Sequence, residues 1–572
     1  MLSKDERTPV RGPAVLAGHL GEPAGAVVLV LPDARPPEHV ELVAPDGAAT
    51  VLTSGPVQSV PGWTAGPYAR VELPSGAGRH VLRARFAGGV ELVTELELGP
   101  DLLQRQTLSD VLAYFMAMRS SGEIDRKDRR ALLWGDSSGR EVDARGGWLD
   151  ASGDTSKFLS HLTYTRTMSP QQIPLCAWAM LAARDALAAR HPDVVRSVGV
   201  RLRDEALWGA DFLVRFRAPE GYFYVGIFDA LTKRLEERVI NAPLPECVRT
   251  DRYQAAYRQG GGLAIAALAR AATQEDHGEF TSAEYLSAAV DAFAYLEKHN
   301  VEHLDDGAEN IVDDYCALLA AAELVGAGAV DAVGAARHRA RSLTERYTAP
   351  DDGPGWFVAD ADGRPFFHAA EAGLPVLALL RFAELLPDAP EAGPARELAL
   401  RAMQDVLARS ATVPNPFGYP RQRVQPADGP PRDSFFFPHA NETGYWWQGE
   451  NATIASLSAA ASACSALDGL GGLDAAERER LDTFAADQLA WITGRNPFDS
   501  SMLQGRGRNH VRYRTDFPNL PGGIANGITA GWTDENDIAF MPPDAGDAET
   551  WRWSEQWIPH TGWFLLAVAA AR

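Results

Sequence analysis

The chain has 572 residues, more than one ordinary hydrophobic core accommodates, so at least two domains are expected. Hydrophobic residues make up 46% and charged residues 23%, the balance of a soluble globular protein. A net charge of −22 argues against nucleic acid or an anionic membrane as partner, because both would repel it.

Residues 1 to about 100 carry short runs rich in Val and Leu: GAVVLVLPD, HVELVAPDG, YARVELPSG, HVLRARFAGG and VELVTELELG. Pro, Asp and Gly separate them, a spacing that predicts an all-β sandwich. Gly99-Pro100 marks its end, giving a domain over 1–103 and a second over 104–572. The N-terminal segment has no apolar core of a secretory signal, and no apolar run reaches membrane-spanning length, so a cytoplasmic location is expected.

From Gln104 the pattern turns helical. Ala- and Leu-rich stretches recur at 108–118, 170–189, 200–216, 253–272, 282–299, 310–324, 331–347, 367–386, 395–408, 449–467, 475–492 and 557–571. Many place apolar residues at i, i+3, i+4 and i+7. A dozen helices with no interleaved strands predict antiparallel pairs, a layout that can close into an α/α toroid. The long Gly/Pro/Trp-rich connections at 132–168, 411–448 and 494–556 would then share one face and carry function. Cys176, Cys247, Cys316 and Cys464 lie far apart and form no CxxC or Cys/His cluster, which argues for free thiols and against zinc.

One stretch stands out for chemistry: DARGGWLDASGDTSKF, residues 143–158. Asp150 and Asp154 sit four apart among small residues that let the backbone bend, so both carboxylates can face one cavity. One can then hold a water while the other takes its proton. Near the other end, Glu555 lies in WRWSEQWIPHTGWFLLA, flanked by aromatics. Carboxylates beside aromatic rings are what hydrolysis of a sugar acetal requires. Asx-turns and helix caps are the competing uses of such residues.

The 146–158 stretch resembles the signature of glycoside hydrolase family 9, GGW-x-DAGD followed by K-[FY], through Gly146, Gly147, Trp148, Asp150, Ala151, Gly153, Asp154, Lys157 and Phe158. The departure is one extra residue, DASGD for DAGD. Ser554-Glu555, Ile558 and Pro559 resemble the family's C-terminal acidic motif. Gly494, Arg495, Asn496, Pro497 and Ser501 match its GRNP-x-x-x-S element. The resemblance implies an immunoglobulin-like sandwich followed by an (α/α)6 barrel. It also implies an inverting β-glycosidase with Asp154 as general base, Asp150 positioning water and Glu555 as general acid.

Substrate contacts are expected from Trp148, Trp446, Trp447, Arg508, His510, Arg512 and Trp553. The rings would stack on sugar faces, and eight of the chain's 14 tryptophans fall within 446–563. Arg508, His510 and Arg512 stand in for a paired His-Arg motif that is absent as such. No cofactor is required; a calcium ion bracing the loops is a further implication of the resemblance, with no ligand set to name. Short β-linked oligosaccharides attacked from a chain end are the expected substrates, the reaction of a β-glucosidase, cellodextrinase or exo-β-glucosaminidase. A polysaccharide lyase on the same toroid and a noncatalytic sugar-binding protein are the rival readings.

Overall fold

The computed structural model describes residues 7–21, 25–467, 473–513 and 517–572. Seven strands come first: β1 Ala14–Leu16, β2 Ala26–Val30, β3 His39–Val43, β4 Ala49–Leu52, β5 Tyr68–Glu72, β6 Gly78–Arg85 and β7 Glu91–Leu98. They form two antiparallel sheets, β1-β2-β5 and β4-β3-β6-β7. Val15, Val27, Leu29, Val40, Leu42, Val71, Leu82 and Leu96 fill the space between them.

The two sheets meet different surroundings, and their sequences differ accordingly. β3 and β6 alternate buried and less buried residues, because their outer face meets water. β2 reads AVVLV and is buried throughout. Its Val27 and Leu29 face the sandwich interior, while Val28 and Val30 join the core of the helical part with Leu16 and Tyr68. Polar ties reinforce this second contact. Arg495 donates to the Ala26 carbonyl at 2.6 Å, and Arg70 and Arg495 share the buried Asp487. Thr64 Oγ1 donates to Asp537 at 2.7 Å.

The helices are α1 Leu102–Met118, α2 Gly122–Asp128, α3 Ile173–Arg190, α4 Pro192–Arg215, α5 Gly261–Ala271, α6 Ser282–His299 and α7 Ile311–Gly326. They continue with α8 Val333–Glu345, α9 Leu374–Leu385, α10 Ala392–Ser410, α11 Asn451–Ser465, α12 Ala475–Ile492, α13 Trp551–Ser554 and α14 Ile558–Ala570. Consecutive members pair as α3/α4, α5/α6, α7/α8, α9/α10 and α11/α12, while α14 packs on α1. One helix of each pair also touches its counterpart in the next, in the circuit α3, α5, α7, α9, α11, α14 and back to α3.

Burial follows this circuit. Every residue of α5 and α14 is buried, both being mostly apolar, with Arg270 of α5 paired to the buried Glu323, whereas α4, α6 and α8 keep a polar outer face. Where predicted helix ends miss, backbone chemistry accounts for it. α5 starts at Gly261 rather than at Tyr253. Gln254 and Ala255 are instead extended and paired with Phe223 and Tyr224, and Gly260 at φ 99° stands outside the helical range. α4 starts earlier than expected, at Pro192, where the fixed φ of proline suits a first helical position. All four cysteines are free. Among the described residues no helix is long and apolar enough to cross a membrane.

Candidate active site

The DASGD segment enters the site through a sharp bend. Gly146 and Gly147 have φ of 83° and 70°, and a Cβ on Gly147 would lie 2.9 Å from the Phe212 ring, so glycine is needed there for both conformation and space. Ala151–Asp154 then forms a four-residue turn closed by Asp154 N–H donating to the Ala151 carbonyl at 3.0 Å. The extra residue relative to DAGD is accommodated in this turn. Ser152 is buried, and its N–H donates to the Gln556 carbonyl at 3.0 Å. Ile558 N–H donates to the Asp150 carbonyl at 3.0 Å. Residues 150–152 and 556–558 thus pair as a short antiparallel seam, which brings Glu555 to the two aspartates.

Asp150 is buried. Its Oδ1 accepts hydrogen bonds from Trp557 Nε1 at 3.0 Å and from Gln172 Nε2. Burial, then the charges of Asp154 and Glu555, push its carboxyl well above the usual range. Asp154 Oδ1 accepts from the backbone N–H groups of Thr155 and Ser156, the latter at 3.1 Å, and from Ser156 Oγ at 3.2 Å. Burial raises Asp154 as well; the two backbone donors offset part of this, and the charge of Asp229 adds to it.

Glu555 sits among dense protein but keeps an open edge. Burial first, then the Asp154 charge, lifts its carboxyl to about 8, with the Asn526 side chain 3.5 Å away as a weak opposing donor. Two carboxyls that feel each other, one braced by N–H donors and one held protonated near neutrality, can act as base and acid in the same reaction.

The loop around Asp154 is braced from behind. Lys157 and Arg238, both buried, share Asp128: Lys157 Nζ at 2.7 Å and the Arg238 guanidinium at 2.9 and 2.8 Å. Lys157 also donates to the carbonyls of Ala144 and Gly146, and Arg238 to that of Thr155, the neighbour of Asp154. Thr155 Oγ1 donates to Asp229 at 2.6 Å.

The expected sugar contacts divide into several groups. Trp446, 3% exposed, stands edge-on to Trp557 at 5.7 Å, in the wall beside Asp150. Trp447 is partly exposed, stacks on His439 at 3.6 Å and has the Arg552 guanidinium 4.3 Å from its ring centre. Trp148 is fully buried. It packs edge-on to Phe115, and its Nε1 donates to Glu205 at 2.8 Å, so it is a core residue and not a sugar platform. Trp553 is likewise fully buried, with Nε1 donating to Thr529 at 2.8 Å.

Arg508 and His510 are engaged at the junction with the N-terminal part. The Arg508 guanidinium grips Asp499 at 2.7 and 2.8 Å beside His19, and the His510 carbonyl accepts from Arg7 at 2.7 Å. Arg512, two residues further on, is exposed.

The structure adds residues that the sequence did not single out: Gln172, His161, Asp229 and Asn526 near the carboxylates, and the exposed Tyr445, which lies close enough to Glu555 to feel its charge. Gln172 had one legible signal, its place at the start of an apolar helix directly after the DASGD connection. The Asp313-Asp314-Tyr315 cluster serves capping and packing. Asp313 pairs with Arg258, Asp314 with Arg339, and Tyr315 OH donates to Glu371.

A cavity of about 1510 Å³ lies elsewhere, between the strands and α10 and α12. It contains none of the three carboxylates, and acid–base chemistry places the site with them. Among the described residues no three His, Cys, Asp or Glu side chains group to hold a metal ion, so no ligand set for a calcium can be named.

No curated protein matches the sequence. The family model described as Glycosyl hydrolase family 9 matches residues 105–515, most of the chain. The chain belongs to glycosyl hydrolase family 9. It is a glycoside hydrolase, and the match includes Asp150 and Asp154 but ends before Glu555. Solved structures agree in fold. A metagenome-derived family 9 endoglucanase superposes with a TM-score of 0.65 at 17% identity, over 98% of this chain and 100% of that one. The cellulase Cel9M of C. cellulolyticum gives 0.51 at 16% identity over 82% and 97%. Endoglucanase CelQ from Clostridium thermocellum gives 0.51 at 15% over 82% and 70%.

Proposed function

We propose that this enzyme hydrolyses β-glycosidic bonds with inversion, in a cleft built on an (α/α)6 barrel braced by an immunoglobulin-like domain over residues 1–103. Asp154 removes a proton from water, Asp150 holds that water, and Glu555 protonates the departing oxygen. The water oxygen bonds to the anomeric carbon as the glycosidic bond breaks, and its proton ends on Asp154. Inversion needs acid and base about 6.5–9.5 Å apart, with the water between them.

The observation that carries this reading is the seam that joins residues 150–152 to 556–558 and so gathers Asp150, Asp154 and Glu555 in one site, with Asp154 accepting from two backbone N–H donors and burial lifting Glu555 to about 8. The substrate we assign is a short β-linked oligosaccharide entered from a chain end, the work of a β-glucosidase, cellodextrinase or exo-β-glucosaminidase. Support for a β-glucan-like ligand comes from the structural relatives, among them endoglucanase CelQ complexed with cellotriose and cellulase Cel9M in complex with cellobiose.

The test is an NMR time course on a panel of β-linked oligosaccharides with wild type, Asp154→Ala and Glu555→Gln. First appearance of the α-anomer, with both variants inactive, supports the assignment. A β-anomer first, or undiminished turnover by either variant, removes it.

A further inference from the structure

A chain of hydrogen bonds runs outward from Asp150 and ends on an atom with no hydrogen-bond partner among the described residues. Trp557 Nε1–H can only donate, so the Asp150 Oδ1 it meets at 3.0 Å is an acceptor. Gln172 meets that same oxygen with its Nε2, the amide NH2 donating to it. The Gln172 backbone is fixed from behind: its N–H donates to the Leu159 carbonyl at 3.0 Å, and its own carbonyl accepts from Cys176 at the start of α3. With the NH2 turned to Asp150, Gln172 Oε1 faces His161 Nδ1 at 2.9 Å. An amide oxygen only accepts, so His161 Nδ1 carries the hydrogen and Nε2 is left as a bare acceptor.

That acceptor is open. His161 is half-buried, and among the described residues its side chain's one hydrogen bond is through Nδ1. The imidazole is clamped by three aromatic rings: Phe158 at 5.4 Å, Trp557 at 5.5 Å and Trp446 at 6.3 Å between ring centres. Burial pushes it down to about 4, so it stays neutral at working pH.

We propose that His161 Nε2 accepts a hydrogen bond from a hydroxyl of the sugar ring seated beside Asp150, making His161 a specificity-determining residue that Gln172 couples to the water-holding carboxylate. This rests on the assignment of Asp150 given above. A neutral imidazole suits that role. It reads a hydroxyl donor, adds no further charge to a site with three carboxyls, and takes its orientation from the same amide that orients Asp150.

The test uses full-length Glu555→Gln enzyme labelled with ¹⁵N-histidine, with the His161 signal identified by its loss in His161→Phe. Long-range proton–nitrogen spectra are expected to show the Nδ1–H form in the free protein. Millimolar cellotriose is expected to shift the unprotonated Nε2 resonance in the sense of an accepted hydrogen bond. A charged ring, an Nε2–H form, or an Nε2 signal unmoved by cellotriose overturns the proposal.

In the otherwise wild-type enzyme, His161→Phe is expected to raise KM roughly fivefold with kcat within about twofold, the size of one neutral hydrogen bond. His161→Gln, which restores an acceptor, should recover part of that loss; equal KM in all three proteins also overturns the proposal. The two readings fail separately. Turnover by Asp154→Ala with a normal His161 response removes the acid–base assignment alone, whereas an inactive Asp154→Ala with an unresponsive His161 removes only this inference.

Discussion

Replacing Glu555, the proposed general acid, with its neutral isostere should abolish activity and yet stabilise the protein, by an amount that depends on pH in a defined way. Burial and the Asp154 charge lift Glu555 from 4.5 to about 8. In the unfolded chain the carboxyl loses its proton near 4.5; in the folded chain it keeps the proton until about 8. The proton-linked stability that Glu555 contributes is therefore fully present below the lower value and is lost as pH rises through the window. Each pH unit across it removes about 1.4 kcal/mol, with a ceiling of about 5 kcal/mol at about pH 8. Local relaxation and the open edge of the site reduce this to about 2–5 kcal/mol. Gln keeps the shape and has no proton to lose. Glu555→Gln and wild type should thus denature within about 1 kcal/mol of each other at about pH 5 and separate as pH rises, the variant being the more stable at about pH 8. Paired denaturant titrations at several pH values measure the difference and cancel every titrating group that does not couple to Glu555, as Asp150 and Asp154 do. A gap that stays constant with pH would refute both the burial argument and the assignment of Glu555 as an acid kept protonated by its surroundings.

Three further outcomes are expected. Activity needs Asp154 ionised and Glu555 protonated, so kcat/KM should fall on the alkaline side near pH 8 and on the acid side at a pH above the ordinary Asp value; full activity retained at about pH 10 would contradict it. Arg238→Met breaks a buried pair with Asp128 and releases the Thr155 carbonyl, so kcat should drop at least roughly tenfold with KM little changed. Stability should fall by about 3 kcal/mol, the low end for a broken buried pair because Lys157 still faces Asp128; calorimetry with steady-state kinetics checks both. Trp148→Phe should cost about 1–3 kcal/mol of stability through lost packing and the lost bond to Glu205, and leave KM unchanged, which a sugar platform would not do.

Much of the fold is written in local patterns. The alternation in β3 and β6 and the Ala/Leu periodicity from α1 onward are read residue by residue, because each reports one face against water. The convergence of Asp150, Asp154 and Glu555 was legible only through motif resemblance, since nothing local says that residues near 150 meet residues near 555. Trp148 shows the opposite limit: it lies in the most informative stretch of the chain, yet its ring turns into the core, and composition does not record which way a ring turns. Arg508 and His510 looked like sugar ligands because they lie in a long loop. The Arg508 side chain instead grips Asp499 and the His510 ring meets the Arg506 carbonyl, both within the same loop, and a sequence does not record which way a loop folds on itself. His161 carried no signal, because its role depends on an amide eleven residues away being fixed by a third residue, Asp150.

The seam between residues 150–152 and 556–558 has a consequence for biosynthesis. Trp557 and Asp150 are 407 residues apart along the chain. During translation the DASGD loop emerges long before its partner, and α3 waits with the flank that α14 will cover still bare. Until α14 is made, α3 lacks its α14 contact, an uncovered apolar flank expected to invite chaperone holding and aggregation. With Glu555 as the proposed acid, a chain that stops before it lacks both that carboxyl and the α14 that packs on α11 and α3, and is expected to be inactive however well its earlier helices have folded.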